Sequence, residues 1–177
     1  KLLPHIYPCQ CSRKILARHT IYPGTCRHKE LSTEDVALRI KVPNINISFN
    51  DQIKGTKITN LQQEIGDFIV VRRDKLFSYN LATACDDGDQ GITDILRGED
   101  LFSATYPQIF LMNMLKLKTP RYLHIPVLSD LNGKKLSKQT GAPPIKDFEA
   151  VKNLIDAMKF LGFQVPRHIK TIASVIE

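Results

Sequence analysis

Asp67-Phe-Ile-Val-Val-Arg72 and Ile92-Thr-Asp-Ile-Leu96 decide the fold. The first is dense in β-branched residues, which suit a pleated and packed strand. Arg73-Asp74 turns it back into Lys75-Leu-Phe-Ser78, the pattern of a hairpin. The second is a further strand, ending at Arg97-Gly98. Upstream, Val36 to Val42 largely alternates apolar and charged residues, as a half-buried strand does. Ile45-Asn-Ile-Ser-Phe49 repeats that alternation more strictly, with Asn50-Asp51 as the turn after it. Downstream, Glu99 to Leu117 places Leu101, Phe102, Tyr106, Ile109, Phe110, Met112 and Leu115 at the spacing of an amphipathic helix, stopped by Thr119-Pro120. Tyr122 to Val127 is the next strand, followed by a turn at Asp130-Leu-Asn-Gly133 and a lysine-bearing loop. Phe148, Val151, Leu154, Ile155, Met158 and Leu161 mark one face of a last helix, with Gly162 as its C-cap. Strands separated by helices predict an α/β layered fold.

A chain of 177 residues predicts one domain, or one domain and a small appendage. Hydrophobic residues make up 42% and charged residues 24%, enough for a real core, which excludes a wholly disordered chain. No apolar run approaches the ~20 residues needed to cross a bilayer, so no membrane partner and a cytoplasmic location are expected. The first residue is Lys1 and no signal peptide follows it, so the chain is expected to be processed, trimmed or cut from something longer. Lys and Arg outnumber Asp and Glu by 25 to 18, a formal charge of +7. That excess suits a phosphate-rich partner such as tRNA or a nucleotide, although mildly basic proteins without one are common.

Four cysteines in a chain of this size do not make a disulfide scaffold. Cys9, Cys11 and Cys26 crowd the first thirty residues, which read as a small metal-stapled insert with a short helix over Ser12 to His19. Three thiolates with His28 two positions after the last give a plausible tetrahedral zinc set, and Tyr22 is the unusual alternative for the fourth ligand. A closed four-ligand site of this kind is structural. Cys85, in apolar Leu81-Ala-Thr-Ala-Cys85, reads as a small core hydrophobe.

The loop from Lys134 to Gln139 carries Lys135-Leu-Ser-Lys138, whose cations could reach ATP phosphates and stabilise developing charge. Arg97, at a strand end, offers a planar fork for a ligand carboxylate, and the Tyr79 hydroxyl could fix a ligand amine or carboxylate. Asp86-Asp87 could hold a magnesium ion, but solvated carboxylates in a turn are the simpler reading. No Ser-His-Asp arrangement, metalloprotease spacing or Gly-rich phosphate loop occurs.

Taken in order, Asp67 to Asp74, Phe77 to Ala82, Asp86-Asp87, Gln90 to Thr93, Leu96 to Gly98, His124-Ile-Pro126 and Lys135-Leu-Ser-Lys138 resemble the catalytic domain of the glutamyl class of class I aminoacyl-tRNA synthetases. The last segment resembles that family's signature lysine loop. Within the class, Cys9, Cys11, Tyr22 and Cys26, with the tail Phe160 to Pro166, resemble the short paralogues that act on the queuosine base of tRNA(Asp). In their zinc motif a tyrosine is the fourth ligand.

The resemblance implies ATP- and Mg2+-dependent activation of L-glutamate, then its transfer to queuosine in tRNA(Asp). It implies Tyr79 and Arg97 on glutamate and Lys138 on ATP, with Lys135 and Ser137 beside it in the catalytic loop. It implies structural Zn2+ on Cys9, Cys11, Tyr22 and Cys26. Residues 1–35 then form a zinc-bearing insertion, 36–140 the second half of a Rossmann-type nucleotide-binding domain, and 141–177 a helical tail. The family's first half, with its ATP motif, has no counterpart here, so the chain is expected to be a C-terminal part that does not activate glutamate alone. Its missing half would be a partner, because a half-sheet exposes an edge; alone, the chain is expected to be poorly soluble or partly molten. Two other readings stay open: a part of an ordinary glutamyl-tRNA synthetase that charges the tRNA 3′ end, and a non-catalytic, zinc-stabilised tRNA-binding module. Gly88 departs from the family, which often has a larger residue there.

Overall fold

A computed structural model describes residues 2–138, 141–165 and 171–176. The chain divides into two compact units, Lys1–Arg97 with Leu101–His124, and Gly98–Asp100 with Ile125–Glu177. Among the described residues no helix is long and apolar enough to cross a membrane.

The first unit holds two sheets. One is antiparallel, in the order β1 (Ile6–Cys9), β2 (Ala37–Ile40), β5 (Phe68–Val71). Pro8, which cannot donate to a ladder, sits in the edge strand β1. Cys9 pairs with Ala37, so the cysteine-rich segment starts inside a sheet, and Leu2 and Ile6 pack on the main core. The helix expected over Ser12 to His19 is a single turn, α1 (Arg13–Leu16), capped by the Ser12 hydroxyl, which accepts from Ile15 N–H at 3.3 Å.

The second sheet runs β4 (Gly55–Asn60), β3 (Asn46–Asp51), β7 (Arg121–Ile125), β6 (Asp94–Gly98). β3 is antiparallel to β4 and parallel to β7, where Asp51 lies opposite Tyr122. Ile47, Phe49 and Asp51 face inward along β3, so a carboxylate occupies the third position of an otherwise apolar row. The turn expected at Asn50-Asp51 falls later. Asp51 Oδ1 accepts from the Ile53 and Lys54 amides at 3.0 and 2.9 Å, which carries the strand through Asp51 and starts the turn at Gln52.

Between the Arg73-Asp74 turn and β6 lies a helix that the sequence conceals, α2 (Tyr79–Asp89). The Ser78 hydroxyl caps it, accepting from Leu81 N–H, and Leu81 and Ala84 are buried. Asp86 and Asp87 therefore stand on a helix, not in a turn. Gly88 has a packing reason: a Cβ there would lie 2.6 Å from Leu117 Cδ1. Cys85 is half-buried and packs against the core.

The helix expected over Glu99 to Leu117 is α3 (Phe102–Leu115), entered through a 3-10 turn at Glu99–Leu101. It is not amphipathic. Every residue from Thr105 to Met112 is buried, polar Thr105 and Gln108 included. It ends before Thr119-Pro120, because Lys116 takes a left-handed φ of 62° and Leu117 N–H returns to the Met112 carbonyl at 2.9 Å.

In the second unit, Asp130 Oδ1 collects the Asn132 and Lys134 amides, each at 2.9 Å, and pins the turn before the lysine loop. α4 (Ala150–Phe160) ends as expected on Gly162, whose φ is +86°. Gly162 N–H bonds the Lys159 carbonyl and Phe163 N–H the Met158 carbonyl, closing the helix. The expected apolar face is not buried: Phe148, Leu154 and Leu161 are exposed. The last helix is one turn, α5 (Ala173–Ile176).

Candidate functional site

Two clusters in the first unit contain sequence-predicted residues, and the first brings several of them together. The first joins β1, the Tyr22–Cys26 segment and β2. The Sγ atoms of Cys9, Cys11 and Cys26 all lie within 4.8 Å of one another, with Cys11 and Cys26 3.6 Å apart. The Tyr22 hydroxyl oxygen is 3.4 Å from Cys9 Sγ and 3.9 Å from Cys11 Sγ, and accepts from Cys26 N–H at 2.8 Å. Three thiols and a phenol thus surround one point, and the thiol triad could hold a metal ion. His28 is exposed and outside this group.

Burial pushes the Cys9 thiol up, but hydrogen bonds from Tyr22, Arg39 and the Cys11 amide together outweigh it and bring it to about 7. Cys11 is pushed up to about 11 by burial and its contact with Cys26. Burial and the bond to Cys9 also raise Tyr22. The lowered Cys9 thiol lies opposite a buried guanidinium. That guanidinium was not anticipated. Arg39 donates from Nε to Cys9 Sγ at 3.3 Å and from Nη1 to the Asp67 carbonyl at 2.8 Å. Below it, Asp67 is fully engaged, accepting from Tyr7, Arg27 and Val42 N–H.

The second cluster centres on Arg97, near the end of β6. Its Nη1 donates to Gln108 Oε1 at 2.9 Å, its Nη2 to Thr105 Oγ1 at 2.6 Å and its Nε to His124 Nε2 at 3.1 Å. Two of its five N–H groups have no acceptor among the described residues. Behind it, His124 Nδ1 meets Asp51 Oδ2 at 2.6 Å, and both side chains are wholly buried. Burial pushes the Asp51 carboxyl up, but His124 and the Lys54 and Ile53 amides outweigh it and hold it below the usual range. The Tyr122 ring lies 5.2 Å from the Arg97 guanidinium carbon and stacks on His124. Tyr122 Oη and Asp87 Oδ2 are buried with no hydrogen-bond partner among the described residues. Burial raises the Asp87 carboxyl, against the pull of Arg97. Tyr79, the first residue of α2, is 53% exposed. Its neighbour Asn80 accepts from Gln108 Nε2 at 3.4 Å, which ties the start of α2 to the Arg97 cluster.

Thr105, Gln108, His124 and Asp51 were not anticipated as site residues. Two signals pointed to three of them: Thr105 and Gln108 are polar residues in the most apolar helix, and Asp51 is a carboxylate in the inward register of β3.

The lysine loop lies in the second unit. Lys135 Nζ is paired with Asp100 Oδ2 at 2.6 Å, which holds that carboxyl below its usual range. Leu136 N–H bonds the Leu128 carbonyl, and the Ser137 carbonyl accepts from Ala142 N–H. Lys138 is exposed. Gln139 of the loop and Pro166 of the tail motif lie outside the described residues.

Comparison with known proteins adds a family. Residues 10–167 match the family described as tRNA synthetases class I (E and Q), catalytic domain. A glutamyl-Q tRNA(Asp) synthetase of Pseudomonas fluorescens is 43% identical over 90% of this chain and 54% of its own length. One of Ectopseudomonas mendocina is 41% identical over 94% of this chain and 57% of its own length. The chain thus spans about half the length of the curated relatives it matches. The crystal structure of a glutamate-tRNA synthetase from Elizabethkingia anophelis superposes with a TM-score of 0.61 at 22% identity, over 77% of this chain and 33% of that one, a likeness of fold. The chain belongs to the catalytic-domain family of class I tRNA synthetases for glutamate and glutamine.

Proposed function

We propose that the protein containing this chain activates glutamate with ATP and transfers it to the queuosine base of tRNA(Asp). The observation that carries this reading is Arg97, a guanidinium held on one side by His124, Gln108 and Thr105, with two donors left for a carboxylate. The names of the relatives at 41–43% identity support the choice of glutamate and of queuosine. In this reading Arg97 and Tyr79 bind glutamate. Lys138 neutralises charge on the ATP phosphates as the glutamate carboxylate attacks the α-phosphorus and pyrophosphate leaves. Lys135 and Ser137 shape that loop, and Mg2+ accompanies the nucleotide.

Cys9, Cys11, Tyr22 and Cys26 hold a structural zinc. Zn–S bonds of about 2.3 Å in a tetrahedron set S–S edges near ~3.8 Å, a spacing that the 3.6 Å between Cys11 and Cys26 approaches. Four protein ligands leave no open position, so zinc would brace β1 against the Tyr22–Cys26 segment and take no part in the chemistry.

The test is glutamate-dependent ATP–pyrophosphate exchange by the full-length protein without tRNA, followed by transfer of labelled glutamate to tRNA(Asp). Label recovered in the anticodon stem-loop supports the reading. Label at the 3′ end would make the protein an ordinary glutamyl-tRNA synthetase. Binding of tRNA without any exchange would make it a non-catalytic module.

A further inference from the structure

The Arg97 cluster contains a buried pair that the proposed chemistry does not use. Asp51 Oδ1 is occupied by two backbone donors, Ile53 N–H at 3.0 Å and Lys54 N–H at 2.9 Å. Only Oδ2 therefore faces the imidazole, 2.6 Å from His124 Nδ1. On the far side of the ring, Nε2 is 3.1 Å from Arg97 Nε and 3.2 Å from Thr105 Oγ1. Arg97 Nε–H can only donate. The Thr105 hydroxyl oxygen already accepts from Arg97 Nη2 at 2.6 Å, so its own proton is free to point at Nε2. One assignment gives every donor an acceptor: the proton on Nδ1, directed at Asp51, and Nε2 bare. A proton on Nε2 would set two N–H donors against each other in a spot where both the His124 and Asp51 side chains are 0% exposed and water cannot intervene.

We propose that Asp51 and His124 are positioning residues for Arg97: the Asp51 carboxylate fixes the His124 tautomer, and the bare Nε2 holds Arg97 Nε–H so that the remaining guanidinium donors face the substrate carboxylate. This rests on the reading of Arg97 as a glutamate-binding residue. The order is Asp51, His124, Arg97, with Thr105 and Gln108 closing the sides. The chain of bonds begins in the β3–β4 turn and ends at the ligand fork, so a surface hairpin sets the aim of a binding side chain.

Asp51→Asn separates this role from bulk. The Ile53 and Lys54 amides require an oxygen at Oδ1, so the new NH2 group must take the place of Oδ2 and donate to His124 Nδ1. The proton then moves to Nε2 and opposes Arg97 Nε–H, with side-chain volume unchanged. The test uses full-length protein and two readouts, the 15N NMR signature of the His124 ring and the KM values in glutamate-dependent pyrophosphate exchange. The expected wild-type ring is the Nδ1–H form, and Asp51→Asn converts it to the Nε2–H form. The glutamate KM rises about tenfold or more, while the ATP KM stays within about twofold.

A wild-type ring protonated on Nε2, or on both nitrogens, overturns the proposal. So does a variant whose glutamate KM stays within about twofold, or one whose glutamate and ATP KM rise together, as general loosening would make them. If Asp51→Asn does not fold, Thr105→Val carries the same kinetic test, with a glutamate KM about threefold higher expected and an unchanged one counting against the proposal. Absence of exchange in the wild type would sink the proposed function instead, leaving the NMR signature to decide the tautomer.

Discussion

Arg39 lies across Tyr22, its guanidinium carbon 3.8 Å from the ring centroid, while its Nε donates to Cys9 Sγ at 3.3 Å. One cation thus orients two of the four proposed zinc ligands. Outer-shell partners of this kind hold ligands in place and tune their basicity. Arg39→Met should weaken zinc binding by about 10–100-fold, read by competition against a chromogenic chelator. Affinity equal to wild type would mean that the thiols need no orienting cation.

Stripping the metal should cost stability as well as stoichiometry. The cysteine cluster joins β1 to the Tyr22–Cys26 segment around only a few buried side chains. Removing zinc with a strong chelator should lower the melting temperature by roughly 5–15 °C and expose Cys9, Cys11 and Cys26 to a thiol reagent. An unchanged melting curve with complete metal loss would show that the sheet β1-β2-β5 stands alone.

Acid should find Asp51. Its carboxyl sits below its ordinary value in the fold, because hydrogen bonds from His124 and the hairpin amides overcome burial. A carboxylate depressed by folding contributes stability that is complete above its unfolded pKa, near ~3.9, and lost as pH falls through the lower folded value. The urea midpoint of the wild type should therefore drop steeply below about pH 4. Asp51→Asn should be less stable at neutral pH by about 1–3 kcal/mol and should show a shallower acid limb. Parallel acid limbs in the two proteins would remove Asp51 from the account.

Lys138 is exposed, so its loss should leave the fold alone. Lys138→Ala should slow pyrophosphate exchange by about 10²–10³-fold with a melting curve matching wild type. Exchange at the wild-type rate would strip Lys138 of its role on the phosphates.

Much of this was legible in the sequence where side chains alternate. β2, β3, β5, β6 and β7 all fall on segments whose apolar pattern announced them. β4 gave no such sign, because Thr56-Lys-Ile-Thr-Asn60 has one apolar residue and lies along the edge of its sheet; its pairing with β3 makes it a strand. α2 was hidden by Asp86-Asp87-Gly88-Asp89, whose local preference is for turns, and packing of Leu81 and Ala84 overrides it. In α3 the apolar spacing located the helix but missed its surroundings, since Thr105 and Gln108 look like a solvent face and instead bond Arg97.

The cysteine cluster stood out by residue type, and Arg97 by its place at a strand end together with the family resemblance. Their supports did not, because the bonds that give Arg39, Asp51 and His124 their roles span 30 residues between Arg39 and Cys9, 73 between Asp51 and His124 and 27 between His124 and Arg97.

The β3–β4 turn carries a practical consequence. Its tip, Gln52 to Lys54, is short and largely exposed, the sort of place where a peptide tag or a cross-linking site is usually grafted. Here the amides of Ile53 and Lys54 decide which oxygen of Asp51 faces the imidazole. An insertion there would reach the interior even if every core side chain stayed put.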